Sequence, residues 1–324
     1  MRWALLAVVL GTVACNALVG FDDFERAPAA PPPADDDDDD DLAPDASADA
    51  TARGCDPTKP FAEPVKLGGP VNTVSSYQNA PTLTDDELTI VFSRAIGQLQ
   101  GKLLTATRAS IDQDFGAPKE IDVGGSAHSF SPTMTGDGLA LFWSEYEDVQ
   151  GDTIRRARIL TARRASVDAA FGPPEAYRED AEPLAFSPHV SRDGTELFLS
   201  LPEADTIHLH RARRGFLGAY EAPTKLTELA LDGVADGGVA LTSDRLTLFF
   251  SSNRPGSAGV NDIWVTKRAA VESPFGAAKR VTELASPDAD RPGWVSVDGC
   301  RLYMARGSEV TTIGAIYVAT RPPR

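Results

Sequence analysis

His208 and His210 are the first pair in this chain whose spacing could do chemistry: alternate residues of an extended strand project to one face, as two metal ligands would. Two ligands are too few for a closed site, and His128 and His189 fall in other segments, so packing or surface roles are expected and no metal or other cofactor is. Asp236, Asp288 and Asp290 are the next candidates, because glycoside hydrolysis needs carboxylates converging across one bond. They come from only two neighbouring parts of the chain and read as loop residues preceding strands, which disfavours hydrolysis. The run Asp35 to Asp41 lacks the turn geometry of a cation loop and reads as solvated chain. No G-x-S-x-G elbow, phosphate-binding glycine loop or zinc spacing is present.

The elements that must position these residues repeat. Five copies begin at Phe61, Phe115, Phe171, Tyr220 and Phe275, spaced by 54, 56, 49 and 55 residues. Each opens on a short strand (FAEPVKL, FGAPKEI, FGPPEAY, YEAPTKL, FGAAKRV). An inner strand follows, ending near Leu83, Met134, Val190, Leu241 or Val295. A tight turn carries Asp86, Asp137, Asp193, Asp244 or Asp298, whose short side chain can accept backbone hydrogen bonds. A continuous apolar strand and a third strand ending at Arg108, Arg164, Arg214, Arg268 or Arg321 complete the copy. Strand-only repeats of this length predict an all-β, five-bladed β-propeller of four-stranded antiparallel blades. The chain begins on a fourth strand and ends on a third, so the strand from Phe61 is expected to complete the last blade and close the ring. Trp294 reads as core rather than as a sugar platform.

Residues 1–14 carry Arg2 and an apolar run from Trp3 to Leu10, the layout of an export signal. Residues 15–60 are rich in Ala, Pro and Asp and read as a disordered tether. Residues 16–60 hold 13 acidic residues against Arg26, Arg53 and Lys59, so most of the net charge of −16 sits there. The propeller, residues 61–324, is only mildly acidic, and no basic stripe suits nucleic acid. In an exported chain Cys55 and Cys300 meet oxidising conditions; one precedes the closing strand and the other lies at the last blade's first turn, on the same rim, which predicts a disulfide between them. An unpaired Cys300 is the alternative.

Thr12-Val13-Ala14-Cys15 resembles the lipobox of bacterial lipoproteins, although Thr12 stands where leucine is usual. The resemblance implies lipid on Cys15 and an outer-membrane or periplasmic place; plain secretion is the alternative. SSNRPGSAGVNDIWVTKR and DRPGWVSVDGCRLYMA, over a chain stretch of residues 61–324, resemble the WD40-like repeat of TolB-type β-propellers. That implies a rigid binding propeller outside the cytoplasm. The third copy lacks the glycine loop, which predicts a shorter outer turn. The tether stands where TolB has an additional N-terminal domain.

A binding face is expected on the rim of loops that contains Tyr77, Arg94, His128, Glu145, Tyr146, Asn253, Arg254, Asp288, Asp290, Arg291 and Arg306. Arg254 and Asp262 fit the repeat pattern and read equally well as supports of the outer loop. The expectation is a monomeric, non-catalytic scaffold that binds an envelope protein or glycan and meets the membrane only through a lipid anchor. A carbohydrate-binding or glycan-hydrolysing propeller is the alternative.

Overall fold

The computed structural model describes residues 54–324 except 75, 97–99, 125–127, 151–152, 179–183, 204–205, 217 and 309–312. The signal segment, Cys15 and the Asp35 to Asp41 run lie outside the described residues.

Each repeat folds as a unit of strands. The first repeat forms β1 (Val65–Lys66), β2 (Tyr77–Leu83), β3 (Thr89–Ile96) and β4 (Gln100–Thr107). The second begins with β5 (Lys119–Glu120) and continues through β6 (Ser129–Met134), β7 (Ala140–Gln150) and β8 (Thr153–Arg163). The third comprises β9 (Glu175–Ala176), β10 (Phe186–Val190), β11 (Glu196–Glu203) and β12 (Thr206–Arg213). The fourth comprises β13 (Thr224–Lys225), β14 (Asp236–Leu241), β15 (Thr247–Ser252) and β16 (Asp262–Lys267). The fifth comprises β17 (Lys279–Arg280), β18 (Ala289–Val295), β19 (Arg301–Ser308) and β20 (Ile313–Thr320). No α-helix occurs among the described residues.

Three four-stranded antiparallel sheets run β6-β7-β8-β9, β10-β11-β12-β13 and β14-β15-β16-β17. Each takes its fourth strand from the start of the following repeat. The remaining strands form β2-β3-β4-β5 and β18-β19-β20, joined by one parallel pair between Tyr77 and Gly314. On β20, Val318 and Tyr317 pair antiparallel with Val65 and Lys66 of β1. Isolated parallel bridges at Gly101–His128, Ala157–Leu184 and Asn261–Ala289 join a third strand to the next first strand, and Gly314–Tyr77 is the same contact between the fifth unit and the first.

The five apolar second strands are buried on both faces, because each is sandwiched between neighbouring units. Leu248, Phe250 and Leu241 pack with Phe198 and Leu209 of the third unit, while Phe249 and Ala240 pack with Leu302 and Met304 of the fifth. Trp294, Tyr303 and Ile316 pack in turn on Leu83, Ile90 and Phe92 of the first unit. Each fully buried Phe or Leu contributes about 1.5–3 kcal/mol of transfer free energy, so these shared clusters hold neighbouring units together.

The repeated aspartates do what the turns need. The hydroxyls of Thr84, Thr135, Ser191, Thr242 and Ser296 donate to Asp86, Asp137, Asp193, Asp244 and Asp298, each at 2.5–2.6 Å. The same carboxyls accept the amides of Leu88, Leu139, Thr195, Leu246 and Cys300. The arginine after each third strand, outside the third unit, lies over the aromatic that opens the fourth: Arg108 on Phe115, Arg164 on Phe171, Arg268 on Phe275 and Arg321 on Phe61, at 4.2–4.7 Å.

Folded contacts begin before Phe61. Cys55 is bonded to Cys300 across 245 residues of sequence, the Asp56 amide donates to Pro322, and the Arg324 amide donates to Gly54.

Candidate functional site: a cavity among the first strands

The five first strands share a local defect. Ala80, Ser131, Ser187 and Gly238 adopt positive φ of 48–51°, and the register between first and second strands shifts at each of these places and beside Gly293. Proline follows in three copies (Pro81, Pro132, Pro188) and precedes Gly293 in the fifth. Proline has no amide to lose on an edge strand, and a bulge turns the strand there. The pattern recurs in every unit and is therefore blade construction. Gly293 is required by the crowding that results: a Cβ there would lie 2.4 Å from the Pro81 carbonyl oxygen.

These bulges surround a cavity of about 550 Å³, lined by residues of all five first strands. That volume lies within the roughly 300–1,000 Å³ of small-molecule sites. Its wall is uneven. The second and third units supply aromatics: the Tyr146 ring stacks on Phe130 at 4.7 Å and meets Phe186 edge-on at 5.8 Å. Burial pushes the Tyr146 hydroxyl up to about 12, which keeps it a neutral phenol. The rest of the wall mixes apolar residues such as Ile154, Ile207 and Val239 with polar ones: Asn79 and Tyr77 from the first unit, Ser200 from the third, Asp236 from the fourth and Arg291 from the fifth. Arg291 donates to the Tyr77 hydroxyl at 2.5 Å.

Asp236 is 2% exposed; its Oδ1 accepts from Arg254 at 2.9 Å, and its Oδ2 has no hydrogen-bond partner. Arg254 is fixed by Ser252 and the Leu229 carbonyl and lies over Phe250 and Trp264. Ser200 Oγ and Asn79 Oδ1 also have no partner. Ser200 is one of a repeated set at the fourth position of the second-strand core run: Ser93 donates to the Asn79 carbonyl, Ser144 accepts the Ser187 amide and Ser251 donates to the Asp290 carbonyl. His189 Nε2 accepts the Leu241 amide at 3.1 Å; burial pulls its ring down to about 4 and keeps it neutral.

At the other end of the first strands the axis is crossed by Arg192, from the turn after β10. It lies over Trp294 at 4.6 Å, donates to the Val295 carbonyl and pairs with Asp85. Burial lowers its pKa to about 10, which leaves it charged at neutral pH.

Two sequence expectations are corrected here. Asp236 and Asp290 are not loop residues; they lie at the starts of β14 and β18. The first strands extend upstream of their apolar pattern through the bulge, where Gly and Pro conceal the period. Asp290 is fully buried, accepting from Arg306 at 2.6 Å and from the Ser286 amide and hydroxyl; burial nevertheless pushes its carboxyl upward.

The expected rim set is also dispersed. Tyr77, Arg94, Glu145, Tyr146, Arg291 and Arg306 sit within strands rather than loops. Tyr77, Tyr146 and Arg291 reach the cavity wall. Arg94 donates to the Val71 carbonyl, Glu145 accepts from Ser129 and Trp143, Asn253 accepts the Ala235 amide, and Arg254 and Arg306 hold carboxylates. His128 pairs with Gly101 through its backbone, and the amide of half-buried Asp288 donates to the Ser286 hydroxyl. Asp262 clamps the loop 253–261 by accepting the Ala258 and Gly259 amides. His208 and His210 are buried with His210 against Glu203 at 3.1 Å, and no group of three metal-binding side chains occurs among the described residues.

These strand units define an all-β protein of propeller type. It is similar to a protein of unknown function from Dyadobacter fermentans, at 12% identity over 82% of this chain and 99% of that one, with a TM-score of 0.53. A thermostable family-43 glycoside hydrolase is similar at 13% identity over 78% and 91%, with a TM-score of 0.52. TolB from Acinetobacter baumannii is similar at 11% identity over 82% and 64%, with a TM-score of 0.44. At these identities the shared fold is all that follows. Neither a family model nor a curated protein matches the chain.

Proposed function

We propose that this chain is a non-catalytic binding protein of the cell envelope: a monomeric five-bladed propeller, closed by β1 and the Cys55–Cys300 bond, that takes a ligand into the cavity among its first strands. Five repeats, the β1–β20 pairing and the recurrence of the Gly314–Tyr77 bridge support the closed ring. Export and a lipid on Cys15 are the reading of the N-terminal sequence. No described helix is long and apolar enough to cross a membrane.

One observation carries the non-catalytic reading: each buried carboxylate near the cavity has at least one oxygen held by a fixed donor, and no two of them face each other across the cavity. Asp236 is held by Arg254, Asp290 by Arg306 and Ser286, and Glu145 by Ser129 and Trp143. Hydrolysis of a glycosidic bond requires two carboxyl groups on opposite sides of it, and among them only Asp236 lines the cavity. The concave wall favours an inserted group over a flat protein contact.

Chromogenic glycosides and peptides should show no turnover with the purified full chain; turnover lost on changing Asp288 and Asp290 would overturn the reading. Immobilised wild type should retain a component of envelope extract that the Tyr146→Ala variant does not, whereas equal retention would remove the cavity from the function.

A further inference from the structure

We propose that the cavity ligand is a neutral saccharide unit, with Asn79, Ser200 and Asp236 accepting its hydroxyls and the Phe130, Tyr146 and Phe186 wall packing its C–H face. The inference rests on the binding reading above and names its ligand class.

Asn79, Ser200 and Asp236 line the cavity, and Asn79 Oδ1, Ser200 Oγ and Asp236 Oδ2 are covered and have no hydrogen-bond partner, so each side chain must turn to present them to a ligand. Ser200 and Asp236 are each only 2% exposed. Buried polar groups are normally satisfied, and one that is not calls for an explanation. The contrast with the repeat supplies it: Ser93 bonds to the first strand of its own unit, Ser144 and Ser251 to that of the next, and the fifth unit has Ala305 there, while Ser200 faces Gly237 and bonds to nothing. With no bond to hold it, Ser200 can turn about χ1 into the cavity at little cost.

Asn79 Oδ1 and Asp236 Oδ2 only accept, while the Ser200 hydroxyl both accepts and donates, so the ligand must supply at least two donors. Charge narrows the class. Arg254 already offsets the Asp236 carboxylate at 2.9 Å, and Arg291 adds a second cation to the wall, so an amine gains little. An anion would approach the Asp236 carboxylate and leave Asn79 Oδ1 and Asp236 Oδ2 without donors, with only the Ser200 hydroxyl able to donate to it. A wholly apolar ligand would leave all three desolvated. A ligand with several hydroxyls and one apolar face satisfies both halves of the wall, and a pyranose ring has that form.

The test is calorimetric titration of the full chain with neutral methyl glycosides and disaccharides, alongside glucosamine, glucuronate and lysine methyl ester. At least one neutral saccharide should bind at millimolar concentration or below, and more tightly than its charged counterpart. Ser200→Ala should weaken it by about three- to tenfold with an unchanged or higher melting temperature, because the fold loses no hydrogen bond. A structural role for Ser200 would instead lower the melting temperature. Preference for a charged probe, no binding across the panel, or unchanged affinity in Ser200→Ala would each overturn the inference. If no sugar binds but Tyr146-dependent capture from envelope extract persists, the saccharide assignment fails and the binding-protein reading stands; loss of both removes both.

Discussion

Replacing Cys55 and Cys300 together by serine opens a loop of 245 residues, nearly the whole folded unit. In the chain-entropy treatment, closing a loop of that length restricts the unfolded chain by about 5 kcal/mol, an upper figure because a compact unfolded state has less freedom to lose. For a domain of this size about 5 kcal/mol lowers the melting temperature by roughly 10–20 °C. Urea titration of the double variant, followed by tryptophan fluorescence, reads the change directly, and Trp143 and Trp294 are both buried reporters. Wild type in reductant should reproduce the variant, which separates loss of the bond from an effect of the serines. The urea slope should rise slightly, since an unlinked unfolded chain exposes more surface. An unchanged midpoint in both the double variant and reduced wild type would refute the reasoning, as would two free thiols from Cys55 and Cys300 in the native protein.

Three further outcomes follow from single residues. His189 is neutral in the fold with its pKa lowered to about 4, against about 6.5 when unfolded. Between those values the unfolded chain binds more protons, so stability should fall as pH drops from about 6.5 to 4, by about 3 kcal/mol at most, and then level off for this group. His189→Gln should flatten that part of a pH series of unfolding curves, and an identical series would count against the assignment. Phe61→Ala removes a ring that meets Phe249 at 6.0 Å and lies under Arg321 at 4.2 Å. A loss of about 3–5 kcal/mol in denaturant titration is expected, and a loss below about 1 kcal/mol would show that this end of the ring is not clamped there. Gly293→Ala drives a methyl against the Pro81 carbonyl; thermal denaturation should register about 1–3 kcal/mol of destabilisation, and none would mean that the strands move apart freely.

What was legible in the sequence was whatever every unit needs. The Asp two positions after each Ser or Thr recurs five times because the same turn is built five times, and Leu248 or Ile90 stands out because a buried second strand must be apolar. The Cys55–Cys300 bond was legible because the strand order puts both on one rim. The cavity was hidden for the opposite reason. Asn79, Phe130, Phe186, Gly237 and Pro292 occupy one position of the repeat with four different kinds of residue, and the Gly or Pro beside them breaks strand periodicity. The same break makes Asp236 and Asp290 read as loop residues in the sequence. Ser200 looks like its counterparts in sequence; only the missing bond distinguishes it.

Arg192 gives the saccharide assignment a polarity. Because its guanidinium reaches across to Trp294, Val295 and Asp85, a saccharide entering among the first strands would meet a charged crossbar before the far end, and on the saccharide reading it would enter end-first. On that reading a polymer is held by a terminus, and occupancy would follow the number of chain ends in solution rather than the mass of glycan. Cutting a polysaccharide into shorter pieces would increase the binding equivalents per gram without altering the affinity of any one of them.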